Sequence, residues 1–184
     1  MIELLEMHMR GTKPPVKLVE GTWVAGGAVR RWFTGEPLCN DIDVFCRDTT
    51  SAENFIAENG LNIRVQNTRM IMFYSSPVQI ILRPLFANAE KTIESFDYTL
   101  CQFAWDGKSI ITTTNAITST LRKHLGVNVI QAGYEIDSLR RAFKYAKQGY
   151  IPCIGTIRDL AKALNNAPAE NIAKFDTISP ERWD

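Results

Sequence analysis

Apolar positions at Leu139, Ala142, Phe143 and Ala146 recur at i, i+3, i+4 and i+7, a period that predicts a helix over "DSLRRAFKYAKQG". Asp137 or Ser138 would cap it and Gly149 would stop it. A second helix is predicted over "TIRDLAKAL", where Thr156 and Asp159 have capping-box spacing and Ile157, Leu160, Ala161 and Leu164 form the apolar side. "AVRRWF" and "SAENFIAENG" give shorter helices closed near Gly35 and Gly60, and "NAEKTIES" gives another. The N-terminal "MIELLEMHMRG" places Glu3 and Glu6 among apolar residues, which predicts an amphipathic helix ending near Gly11. "TKPP" then reads as an extended linker, because neither proline can donate a backbone hydrogen bond.

Between these helices the pattern shortens to that of strands. "TWVAGG", "DIDVFC", "NIRVQN", "RMIMFYS" and "VQIILRP" are rich in β-branched and aromatic residues and separated by short turns. "FDYTLCQFAWDGKSIITT" predicts two strands about the hairpin signal Asp106-Gly107. The tail from Asn165 to Asp184 has no strong pattern. The order predicts an α+β chain, a mixed β-sheet flanked by helices with a short helical C-terminal part. Its expected divisions are an N-terminal helix and linker over 1–20, a core over 21–125 and a helical extension over 126–184, packed as one compact unit.

Composition narrows the function. The chain is 45% hydrophobic and 22% charged with a formal net charge of +1, so it lacks the global positive field of a nonspecific nucleic-acid binder. No apolar run approaches the roughly 20 residues that span a bilayer. The expected location is the cytoplasm, with no membrane partner. Cys39, Cys46, Cys101 and Cys153 have no C-x-x-C spacing, which predicts buried reduced thiols rather than disulfides or a zinc site.

The chemistry concentrates in "AGGAVRRWFTGEPLCNDIDVF". Side chains alternate along a strand, so Asp41 and Asp43 would share one face while Ile42 and Val44 take the other, with the two acidic α-carbons about 6.5 to 7 Å apart. Like charges at that spacing repel unless a divalent cation sits between them. A capping Asp41 and a water-facing Asp43 at the sheet margin are the plainer alternative. Gly26 and Gly27 stand where a strand turns into a helix, so backbone can approach a ligand closely and helix-start amides can point at phosphate oxygens, with Arg30 adding charge. Close packing of helix on strand explains the same pair without a ligand. The dinucleotide-binding G-x-G-x-x-G pattern is absent.

These residues resemble the G-G-x-V-R, short helix, G, D-x-D signature of the nucleotidyltransferase superfamily, whose best motif match is to the heads of tRNA CCA-adding enzymes and bacterial poly(A) polymerases. "VQIILRP", "SFDYTLCQFAWDG" and "LRRAFKYAKQGY" look like successive blocks of uncharacterised nucleotidyltransferase-like proteins, many of them viral or phage-encoded. The resemblance implies a nucleotidyltransferase fold in which Gly26 and Gly27 contact a nucleoside triphosphate, Asp41 and Asp43 hold Mg2+, and a third carboxylate comes from a neighbouring strand. By analogy the third is Asp97, with Glu94, Asp106 or no acid at all as alternatives. Arg31 stands where the CCA-adding signature usually has an aspartate, and the chain is short for the helical RNA-binding body of those enzymes.

Arg140, Lys144 and Lys147 line one side of the late helix and could contact triphosphate or an acidic acceptor, although a solvated charged face is the commoner origin of such a stripe. His8 and His124 have no partner pattern and are assigned no role. The implied activity is Mg2+-dependent transfer of a nucleoside monophosphate from an NTP to an acceptor hydroxyl on RNA, a small molecule or a protein. The alternative is a catalytically inactive scaffold that binds nucleotides or proteins.

Overall fold

The computed structural model describes residues 2–5, 11–38 and 41–173. Among them are seven α-helices and an eight-stranded mixed sheet, as the α+β expectation requires. The chain divides into two compact units, residues 1–96 with 101–117, and residues 97–100 with 118–184.

In the first unit, β1 (Ile2–Leu5) leads through the extended linker to β2 (Thr22–Ala25), α1 (Gly27–Thr34) and β3 (Ile42–Cys46). There follow α2 (Thr49–Glu58), β4 (Ile63–Gln66), β5 (Met70–Phe73), β6 (Val78–Ile81) and α3 (Ala89–Glu94). A 3-10 turn at Thr99–Cys101 precedes β7 (Phe103–Trp105) and β8 (Ile110–Thr113), and α4 (Thr114–Leu121) carries the chain onward. The strand order is β1-β8-β7-β2-β3-β6-β5-β4. β3 and β6 run parallel, and each of the other neighbouring pairs in the sheet is antiparallel. The close spacing of β4, β5 and β6 along the chain leaves room only for hairpin-like returns, which is why they alternate in direction.

Period-two alternation places an apolar set on each face of this sheet. Ile42, Val44 and Cys46 pack with Ala28 and Val29 of α1 and Ala52 and Phe55 of α2. Trp23, Ala25, Phe45, Ala104 and Ile111 occupy the opposite face with Ala89 and Ile93 of α3, where the Trp23 indole donates to the Thr92 hydroxyl at 3.0 Å. Helix starts are closed locally: the Asp48 and Asn88 side chains accept from the backbone N–H of Ser51 and Lys91.

The second unit holds β9 (His124–Leu125), α5 (Glu135–Lys147), β10 (Ile151–Pro152), α6 (Ile154–Asn166) and α7 (Ala169–Ala173), with β9 and β10 paired in parallel. Tyr98 is fully buried and donates to the Ser138 carbonyl at 2.6 Å, tying the 97–100 segment to α5. No helix among the described residues is long and apolar enough to cross a membrane.

Several expectations change. Ile2–Leu5 form a strand, not a helix, because pairing with β8 supplies backbone partners that overrule the local helical pattern; residues 6–10 of that expected helix lie outside the described residues. Residues 97–101 do not form a strand; the first half of "FDYTLCQFAW" is a loop and a 3-10 turn. The capping-box reading of α6 also fails, since Cys153 is the N-cap and the Thr156 hydroxyl donates instead to the Leu125 carbonyl. Phe143 and Ile157, counted on the buried faces of α5 and α6, are 58% and 55% exposed. Cys46 and Cys101 are buried free thiols as expected, whereas Cys153 is exposed and Cys39 lies outside the described residues.

Candidate nucleotide and metal site

β2 ends at the glycine pair. The Gly26 N–H still donates to the Phe103 carbonyl of β7 at 2.7 Å, so the ladder continues into the bend, but Gly26 then takes φ 86° and ψ −138°. A side chain strains that backbone, and glycine does not. α1 begins at the next residue, with Arg30 N–H donating to the Gly26 carbonyl at 3.1 Å as its first helical bond. No side chain caps α1, which leaves its first-turn amides for an anion. A Cβ added at Gly27 would meet nothing within 4 Å, so there is free space beside the start of the helix. Gly35, at φ 78°, closes the helix in the left-handed region.

Asp43 comes from β3, and Asp41 is the residue before that strand. Ile42 and Val44 are buried in the core, and the half-buried Asp43 falls on the other face. Val24 of β2 lies opposite Val44, and continuing that antiparallel register sets Ala25, the residue before the glycine bend, opposite Asp43. Across the parallel pair, Asp43 faces Gln79 of β6, and the Gln79 amide donates to Asp43 Oδ1. Gln79 therefore orients the acid. Asp41 stands immediately before β3 and is exposed, while Ile42 N–H is held by the Pro77 carbonyl at 2.8 Å. Gln79 escaped the sequence reading because the β3–β6 register joins segments 36 residues apart.

Arg30 is buried, 2% exposed, on the inner side of α1 with Ala28 and Val29. It is a charge fixed inside the unit and not a surface arm. Arg140 and Lys144 lie on α5 in the second unit, where Arg140 pairs with Asp137 at 3.6 Å and Lys144 is exposed. Tyr145 packs edge-on against Tyr98 and Tyr150.

Asp97 also belongs to the second unit. Its carboxylate accepts from Arg141 Nε at 2.7 Å and its carbonyl from Asn128 N–H at 2.7 Å. Burial works to lower the pKa of Arg141, but the adjacent Asp97 carboxylate outweighs it and the net shift is upward. Among the described residues no three His, Cys, Asp or Glu side chains gather as a metal site. Magnesium commonly takes only one or two protein carboxylates and completes its shell with phosphate oxygens and water, a donor set that Asp41 and Asp43 fit.

The ion pair yields a test. Asp97→Asn is expected to destabilise the protein by about 1 to 2 kcal/mol, less than a fully buried pair because the Arg141 side chain is 35% exposed. Magnesium-dependent nucleotide binding should persist. Lost metal response with an unchanged melting temperature would instead make Asp97 a metal ligand.

A family model described as "Gad2: Gabija anti-defense 2 family protein" matches residues 4–123. A curated relative, Gabija anti-defense 2 of Bacillus phage SPbetaL7, is 26% identical over 136 residues, covering 69% of this chain and 33% of the relative. The chain thus spans about a third of that relative's length. A solved tRNA nucleotidyltransferase, complexed with a primer tRNA and an incoming ATP analogue, superposes with a TM-score of 0.59 at 16% identity, covering 83% of this chain and 51% of its own. The Thermotoga maritima CCA-adding enzyme, complexed with tRNA-CCA, gives 0.59 at 17% identity over 83% and 39%. At these identities the likeness establishes the fold, that of the nucleotidyltransferase heads expected from the glycine pair and D-x-D.

Proposed function

From the membership of this chain in the Gabija anti-defense 2 family, we propose that it is a phage counter-defence protein acting in the host cytoplasm. Its activity would be the Mg2+-dependent transfer of a nucleoside monophosphate from an NTP to an acceptor hydroxyl. The observation that supports this reading is the glycine bend into an uncapped helix with free space at Gly27, on the strand next to the one that carries an Asp43 carboxylate held by Gln79.

In this reading the first-turn amides of α1 bind triphosphate oxygens and stabilise the pyrophosphate leaving group, aided by the helix dipole. Asp41 and Asp43 would hold magnesium, which when bound neutralises phosphate charge and favours in-line transfer. Gln79 holds the Asp43 carboxylate from the β6 side, so that side chain loses little ordering entropy on binding. The acceptor hydroxyl gives up its proton to water as its oxygen bonds to the α-phosphorus, the α–β phosphoanhydride bond breaks, and pyrophosphate departs. One solved neighbour is complexed with a primer tRNA and an incoming ATP analogue, which makes RNA a leading acceptor class for testing here.

A second reading has its own support. With no three-carboxylate cluster among the described residues and Asp97 bonded to Arg141, the fold could bind a nucleotide or a protein without chemistry. Incubating the protein with each α-labelled NTP, magnesium and a mixture of cellular RNA and protein separates the two. Label transfer with pyrophosphate release is expected. Magnesium-dependent binding without transfer selects the scaffold, and the absence of both refutes the nucleotide site.

A further inference from the structure

The second unit contains a nucleophile that the proposed chemistry does not use. Parallel pairing of β9 and β10 sets Ile151 opposite His124 and Pro152 opposite Leu125, so Cys153, the next residue, leaves the ladder beside β9 and becomes the N-cap of the 13-residue α6. The Thr156 hydroxyl donates to the Leu125 carbonyl at 2.5 Å, fastening the first turn of α6 to β9. That hydroxyl lies 3.6 Å from the Cys153 sulfur. His124 hydrogen-bonds the sulfur from β9, and the Gly155 and Thr156 amides do so from α6. Two elements thus converge on one thiol, which they draw down to about 6.

Access distinguishes this thiol from the others described. Cys46 and Cys101 are buried, and burial, followed by the nearby Asp48 charge, pushes Cys46 up to about 12. Cys153 is exposed, and its neighbours do not cover it: Ile151 is 70% and Ile154 is 85% exposed. An exposed thiolate with a histidine partner is the setting in which cysteines react.

We propose that Cys153 and His124 form a reactive dyad whose sulfur exchanges with low-molecular-weight disulfides, making this chain subject to reversible mixed-disulfide modification. The Cys153 thiolate attacks one sulfur of the disulfide, the old S–S bond breaks, a new one forms to Cys153, and the second sulfur leaves as a thiolate. Cys153 is oxidised and the departing sulfur reduced, so the small disulfide is the oxidant. His124 and the α6 amides stabilise the attacking thiolate.

The expected signature is a pH profile. A thiol titrating near 6 gains thiolate over one near 8.5 but is intrinsically less nucleophilic, so the two effects nearly offset at pH 7. At pH 6 the gain wins, by about 10-fold in rate over an unstructured cysteine peptide. The full chain is treated with oxidised glutathione and, separately, with a chromogenic aromatic disulfide across pH 5 to 9, and the adduct is located by peptide mass mapping. Modification at Cys153 with an inflection near pH 6 is expected, absent in Cys153→Ser and moved upward in His124→Asn. Serine is itself a favourable N-cap, so Cys153→Ser should fold. Modification confined to Cys39, or a Cys153 rate still rising steadily through pH 8, would overturn the proposal. An unmoved inflection in folded His124→Asn would remove the histidine from it.

Discussion

Asp43→Asn is expected to leave the protein folded and to reduce magnesium-dependent nucleotide binding by at least about 100-fold, with no detectable transfer. Asparagine matches aspartate in shape and keeps a carbonyl oxygen for the Gln79 amide, so the β3–β6 pairing need not change. Ile42 and Val44, which hold β3 in the core, are untouched. Stability should therefore move by less than about 1 kcal/mol. What disappears is the negative charge, which a divalent ion needs from this position and which an amide oxygen replaces poorly. Calorimetric titration with NTP, with and without magnesium, alongside thermal melting measures both halves. A wild-type titration from the folded variant would remove Asp43 from the site.

Local features carried much of this site into the sequence. The glycine bend, α1, Gly35 and the D-x-D strand fall within about two dozen residues, and each has a cause that acts over a few positions: a backbone angle open only to glycine, a left-handed helix stop, a β-branched run. α2 and the Asp106-Gly107 hairpin were legible on the same grounds. What escaped depends on register between distant segments. Ile2–Leu5 became a strand only through β8, Gln79 met Asp43 only through the β3–β6 ladder, and Asp97 met Arg141 only after its segment left the expected strand. His124, unassigned for want of a partner pattern, acquired Cys153 the same way, through strands with 25 residues between them. α4 was missed because "TNAITSTL" is rich in threonine and serine, poor helix signals until their hydroxyls find partners; Thr113 Oγ1 accepts from Ala116 N–H at 3.0 Å and starts the helix.

The two glycines should separate folding from binding. At Gly27 the backbone φ is not positive and an added Cβ meets no atom within 4 Å, so Gly27→Ala introduces neither strain nor clash. Alanine at the start of a helix should leave stability unchanged or raise it by up to about 1 kcal/mol. If phosphate oxygens approach the first-turn amides over Gly27, as the proposed function requires, the added methyl group crowds them, and nucleotide affinity is expected to fall by about 10- to 100-fold. Gly26→Ala should behave in the opposite way. Its new Cβ would touch only Phe96 Cζ, at 4.0 Å, so space is not the obstacle; the backbone at φ 86° and ψ −138° is, at about 1 to 3 kcal/mol. Its melting temperature should drop, and its binding should weaken because the bend relaxes and turns the α1 amides away. Paired melting and binding curves decide the matter: a Gly27→Ala protein that binds NTP like the parent would mean the glycine pair serves only the join between β2 and α1, since packing needs Gly26 and leaves Gly27 free to vary.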